Sequence, residues 1–184
     1  MPSSPDPIHE AQVGIVVLNY HHPVETLACV RRLLEREPAS TRVLWVENDA
    51  GATRAAALEV LEGSGLPFME LDPEAPSLPP AGTLGIVFNE ENLGYAGGNN
   101  VGLRLLSALK VPFAWVLNND TQLLEGSSTT LVEAAKARPE VGLWGTSILA
   151  EHAHPTPRTV TYMGGHIEMK DFAISLVDRP EVLE

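Results

Sequence analysis

The 184-residue chain has a single cysteine, Cys29, so no disulfide can form within it. That excludes a cross-linked secreted scaffold and makes a reducing compartment, the cytoplasm, the expected location. Basic residues are also scarce. Twelve Lys and Arg stand against 24 Asp and Glu, for a net charge of −12. The basic stripe of a nucleic-acid-binding surface is missing, and attraction to an anionic membrane surface is disfavoured for the same reason. A phosphate-bearing ligand would have to be received by a metal ion or by local backbone dipoles, because the overall field repels it. No apolar run reaches 18 residues, so no membrane-spanning helix is expected. The opening MPSSPDPIHE has neither a basic start nor an apolar stretch and does not resemble a secretory leader. Residues 1–12 read as a disordered lead-in. Two phosphate-binding fingerprints are missing as well: there is no G-x-G-x-x-G spacing, and no glycine-rich run continues into Gly-Lys-Ser/Thr.

What the chain does have is alternation. Hydrophobic residues make up 44% and charged residues 20%, which suits one globular domain with an appended tail. Four apolar runs each turn polar at their ends: VGIVVLNY (13–20), TRVLWVEND (41–49), TLGIVFNEEN (83–92) and FAWVLNND (113–120). Continuous apolar runs of this length suit strands buried on both faces. Helical patterns lie between them. HHPVETLACVRRLLERE has Pro23 in its first turn and Leu27, Val30 and Leu34 on one stripe. TRAAALEVLEG is a short helix closed by Gly63. AGGNNVGLRLLSALK carries Val101, Leu105 and Leu109, and STTLVEAAKARPE has Ser127 or Ser128 as its cap. The proline-rich stretch between the second and third runs is a loop with a short strand at 68–71. VGLWGTSIL adds another strand. After Leu149 the pattern weakens to a β-like stretch at 159–163, a Gly-Gly turn and a short strand near 172–177. Cys29, Trp45, Trp115 and Trp144 read as core. The βαβα order implies an α/β fold, mainly a parallel sheet with helices on both faces.

In open parallel sheets, ligands bind beyond the carboxyl ends of the strands. Here those ends read Asn19-Tyr20, Glu47-Asn48-Asp49, Asn89-Glu90-Glu91-Asn92 and Asn118-Asn119-Asp120. Any one alone is an ordinary turn; four on one sheet edge read as a site. The loop ENLGYAGGNNVG places Gly94, Gly97, Gly98 and Gly102 within nine residues. Each glycine at a helix start costs up to about 1 kcal/mol relative to alanine. Close approach of a ligand or plain helix-on-sheet packing would each account for that cost. His152 and His154 read as solvated loop residues, His21 and His22 as polar or exposed residues before a helix, and Glu90-Glu91 as a solvated face.

Taken in order, VGIVVLNYHHPVETLACVRRLL, VLWVEND, NEENLGYAGGNNVGL and WVLNNDTQLLEG resemble the donor-binding half of the family 2 glycosyltransferases, in their rhamnosyltransferase-like branch. The resemblance covers residues 13–149. It implies a GT-A fold over 13–150 and inverting transfer of a sugar from a nucleoside diphosphate sugar to a glycan or lipid-linked acceptor, as in cell-envelope polysaccharide synthesis. It places Asp120 at the last aspartate of the family's D-x-D motif, holding Mg²⁺ or Mn²⁺, with Asn118 at the first position. Hard oxygen ligands suit both ions. Glu47 stands where the family has an aspartate near the base and ribose. Asn19, Tyr20, Asn48, Asn92, Gly94, Gly98, Asn99 and Asn119 complete the expected nucleotide-sugar pocket.

The family's second half has no match here. Residues 151–184 read as a short tail in place of, or at the start of, the acceptor half. No general base is assigned. Asp171 and Asp178 lie in no matching motif, and His166, after Gly164-Gly165, is a weak candidate for touching the diphosphate. The alternative expectation is therefore a non-catalytic nucleotide-sugar-binding module or a truncated donor domain. A nucleotidyltransferase is disfavoured, because LNYHHPVE supplies no glycine-rich basic loop after the first strand. A sheet edge left open would invite pairing between copies.

Overall fold

The computed structural model describes residues 11–123, 128–146 and 148–149, together with strand backbones at 158–162, 165–168, 173–176 and 182–183. The chain divides into two compact units, Met1–Glu133 and Ala134–Glu184.

The first unit alternates strand and helix: β1 (Val13–Asn19), α1 (Pro23–Arg36), β2 (Thr41–Asn48), α2 (Ala50–Ser64), β3 (Phe68–Glu70), β4 (Leu84–Asn89), α3 (Gly94–Ala108), β5 (Phe113–Asn118) and the start of α4 (Ser128–Ala137). The strands form one sheet in the order β3-β4-β2-β1-β5, with every pairing parallel. The expected α/β architecture is present in this form. β1 and β2 are buried at every position, which is why their sequences run apolar without alternation: both faces are covered. On one face Ile15, Val17, Val43 and Trp45 pack against Cys29, Val30 and Leu33 of α1 and Ala57 and Leu61 of α2. On the other, Val16, Leu18, Leu44 and Val46 pack against Leu105 and Leu106 of α3. Burying each such leucine stabilises the fold by about 1.5–3 kcal/mol.

α3 sets the site's geometry. It leaves β4, crosses over β2 and β1, and delivers the chain to β5 on the far side. The crossing is close because Gly98 faces the sheet. A Cβ there would stand 2.5 Å from Leu18 Cδ1 and 3.2 Å from Asn48 Cγ.

Several sequence expectations are corrected. α2 runs through Gly63 and closes at Gly65, whose φ of 68° lies in the left-handed region that favours glycine at a helix end. α3 starts at Gly94 rather than Ala96. The buried face of α1 is Thr26, Cys29, Val30 and Leu33, with Leu27 and Leu34 packed at its margin. Ala11 is buried, and Gln12 bonds through its backbone to Ser40 and Phe113, so ordered packing begins two residues before β1, at the end of the expected lead-in. The strand expected over 141–149 shrinks to β6 (Ile148–Leu149). Gly142 and Gly145 interrupt that run. Leu143 is 93% exposed, and Trp144 is exposed rather than core.

The second unit contains β6, β7 (Arg158–Tyr162), β8 (Gly165–Glu168), β9 (Ala173–Leu176) and β10 (Val182–Leu183). β7 pairs antiparallel with β6 and β10, and β8 pairs antiparallel with β9. The stretches expected at 159–163 and 172–177 correspond to β7 and β9. His166 lies on β8. Asp171, Asp178, His152 and His154 fall outside the described residues. No helix among the described residues is long and apolar enough to cross a membrane.

Candidate functional site

Strand register puts the polar ends in one row. Asn118 follows the residue paired with Val17, beside Leu18; Asn19 pairs with Glu47, Glu47 with Phe88, and Asn48 with Asn89. Two hydrogen-bond networks tie this carboxyl edge together.

The first centres on Glu47, which is fully buried. A buried carboxylate is costly unless donors surround it. Three do. Asn19 Nδ2 donates to Oε2 at 2.7 Å, Trp45 Nε1 donates to Oε2 at 2.8 Å, and the Thr53 hydroxyl donates to Oε1 at 2.5 Å. Asn19, itself fully buried, relays the network outward. Its Oδ1 accepts from the His22 amide at 3.1 Å, the Thr26 hydroxyl at 2.8 Å and Asn119 Nδ2 at 3.3 Å. Asn119 also donates to Thr26 Oγ1 at 2.9 Å. Asn19, Glu47 and Asn119 thus join the ends of β1, β2 and β5 from beneath.

The second network centres on Asn48, 1% exposed. Its Nδ2 donates to Asn92 Oδ1 at 2.7 Å, and its Oδ1 accepts from Asn89 Nδ2 at 3.3 Å and the Leu93 amide at 3.1 Å. Asn92 Oδ1 also accepts from the Gly94 amide at 2.8 Å. The β4–α3 loop is therefore shaped by one asparagine on β2. Asn99, buried on α3, donates back to the Tyr95 carbonyl at 2.9 Å, while its Oδ1 has no partner among the described residues.

On the surface of this scaffold the side chains differ sharply. Asn118 is exposed, and its Oδ1 accepts from the Tyr95 hydroxyl at 2.9 Å. Asp120 is exposed, and its carboxylate makes no hydrogen bond or ion pair among the described residues. Tyr20 is 47% exposed, with its ring edge-on to His21. His21 Nε2 lies 3.2 Å from Asp49 Oδ2. Both of these residues have positive φ, 62° and 93°. Left-handed backbone costs a non-glycine residue about 1–2 kcal/mol, so two strained residues meet at the ends of neighbouring strands. Cys29 lies beneath β5. Burial, and then the negative charge of Asp120, push its thiol up to about 11.

The sequence named the strand-end residues but missed their partners. Trp45 and Glu47 are two apart on a strand and so share a face, a signal that would have paired them. Nothing in the spacing marks Thr26, Thr53, Tyr95 or the His21–Asp49 contact. Among the described residues no group of three or more His, Cys, Asp and Glu is placed to hold a metal ion. One free carboxylate fits a cation whose other ligands come from a ligand's phosphates and water, as Mg²⁺ is usually held.

No protein-family model matches the chain, and a search of curated proteins finds no match either.

Proposed function

We propose that the chain is the donor-binding unit of an inverting, metal-assisted glycosyltransferase of GT-A type, taking a nucleoside diphosphate sugar at the carboxyl edge of its parallel sheet. The observation that carries this reading is the division of labour within Asn118-Asn119-Asp120. Asn119 is turned inward onto Asn19 and Thr26, and Asn118 is bonded to Tyr95, while Asp120 presents a carboxylate with no hydrogen-bond partner among the described residues. Simple turn formation would not require that arrangement on top of two buried polar networks. With a net charge of −12, a diphosphate needs local neutralisation, and Asp120 would hold the Mg²⁺ or Mn²⁺ that supplies it. When bound, the cation would neutralise charge on the departing diphosphate.

The chain's own residues have supporting parts. Glu47 and Asn19 hold the ends of β1 and β2 in register beneath the ligand. Asn48 and Asn92 fix the loop that leads into α3. Tyr20 faces solvent, where it can meet the ligand. In the transfer, an acceptor hydroxyl oxygen bonds to the anomeric carbon as the bond from that carbon to the diphosphate oxygen breaks. The electron pair leaves with the diphosphate, and the hydroxyl proton passes to a base not assigned among these residues.

Thermal unfolding with and without Mn²⁺ and a panel of nucleoside diphosphates tests the reading. A ligand at about 100 times its dissociation constant stabilises by about 2.7 kcal/mol, or roughly 5–10 °C for a chain of this size. Asp120→Ala should remove most of the shift. No shift with any nucleoside diphosphate sinks the proposal, and binding without sugar transfer favours a non-catalytic donor-binding module.

A further inference from the structure

Among the described residues of the first unit, the large apolar side chains left exposed are Tyr20, Val24, Leu93 and Tyr95. All four follow β1 or β4, and all lie at the carboxyl edge. No other large apolar side chain among the described residues of that unit is exposed, so within the unit the exposure falls at the edge that carries the polar networks. Concentrated apolar exposure of this kind marks a binding surface.

Tyr95 is the most informative of these. It is 62% exposed, yet its hydroxyl is fixed 2.9 Å from Asn118 Oδ1. The first turn of α3 sits against Asn48 of β2 and Leu18 of β1, whereas Asn118 ends β5 on the other side of β1. The side chain therefore spans the carboxyl end of β1, held at its root by the helix and at its tip by a strand. A tyrosine anchored at both ends has little rotational freedom left to lose when something packs against its ring.

We infer that Tyr95 is a ligand-contacting residue, an aromatic platform pinned by Asn118 that receives a ring face of the bound molecule. The inference rests on the nucleoside diphosphate sugar reading above. It adds that recognition at this edge is partly by stacking rather than by phosphate and metal contacts alone. A nucleobase and a hexose both offer a ring face, and the ligand panel below separates them. Asn118 then acts as a positioning residue through Tyr95.

Calorimetric titration of the whole chain in Mn²⁺ provides the test, using a nucleoside diphosphate, its sugar conjugate and inorganic pyrophosphate. Tyr95→Ala should weaken binding of the ring-bearing ligand about tenfold or more, leaving pyrophosphate binding and the ligand-free melting temperature unchanged. Tyr95→Phe and Asn118→Ala should each cost about threefold, and the double variant should cost no more than either alone, because both remove the same anchor. A loss already present with the nucleoside diphosphate puts the base on Tyr95; a loss seen only with the conjugate puts the sugar there. If wild type binds the nucleotide and Tyr95→Ala binds it equally, the platform is refuted and the donor-binding reading survives. Equal weakening of pyrophosphate also refutes the platform. If wild type binds no nucleotide, both proposals fall.

Discussion

Replacing Glu47 probes the centre of the buried network. In Glu47→Ala, the donors of Asn19, Trp45 and Thr53 all lose their acceptor. Thr53 recovers, since its hydroxyl already lies 3.0 Å from the Asp49 carbonyl. Asn19 Nδ2 and Trp45 Nε1 do not, and each orphaned buried donor costs about 1–3 kcal/mol. Removing a desolvated carboxylate offsets part of this, leaving a net loss of about 2–4 kcal/mol. Glu47→Gln behaves differently. Its amide oxygen can take the Oε2 position and keep Asn19 and Trp45 satisfied. Its NH₂ then faces Thr53, whose hydroxyl turns its proton to Asp49 and accepts, so the cost should stay within about 1 kcal/mol. Urea unfolding followed by tryptophan fluorescence reads both variants as midpoint shifts at constant slope. If alanine costs under about 1 kcal/mol, or glutamine costs as much as alanine, the network does not support the sheet edge as described.

Three further outcomes are expected. Asn119→Ala should destabilise by about 1 kcal/mol, because it removes donors to Thr26 and Asn19, whereas Asn118→Ala, at an exposed position, should stay within about 0.5 kcal/mol; equal effects in denaturation would refute the division between the two. Gly98→Ala should cost about 1–3 kcal/mol, since the new methyl lies 2.5 Å from Leu18 Cδ1, and a neutral result would mean α3 sits further from the sheet. The Cys29 thiol is raised from 9.0 to about 11 in the folded state, so the folded chain holds its proton where the unfolded chain releases it. Its contribution is complete below pH 9 and is lost as pH rises toward 11, by roughly 2–3 kcal/mol. The stability difference between wild type and Cys29→Ala should follow that course, and a pH-independent difference would contradict it.

The sequence showed the strands of the first unit because burial on both faces leaves β1 and β2 without alternation. It showed the carboxyl edge because Asn and Glu ended those runs. It was weaker where neighbours decide. Gly63 looked like a helix stop, but only Gly65 adopts the left-handed backbone that ends the helix. VGLWGTSIL has strand-forming residues, yet Trp144 is exposed; whether such a run is covered depends on packing that local pattern does not encode. In the site, Asn19 and Glu47 were identified by type, but their burial and mutual hydrogen bond depend on a pairing across 28 residues. Tyr95 was invisible as a partner of Asn118 because their contact spans 23 residues and an intervening strand.

The placement of β5 beside β1 has a consequence for how the chain is made. Asn119 reaches back 93 residues to Thr26 and 100 to Asn19, so the site closes only after nearly all of the first unit has been synthesised. Before then β1 is an edge strand, apolar on both faces and open along one side, a surface prone to pairing with other chains. Closing a contact of that span is also among the slower events in folding. A nick in the turn between α3 and β5, at Lys110 or Val111, would leave every other strand pairing of the sheet intact while untethering this last one. Ligand binding by a nicked or partly emerged chain would then report directly on whether β5 has found its place.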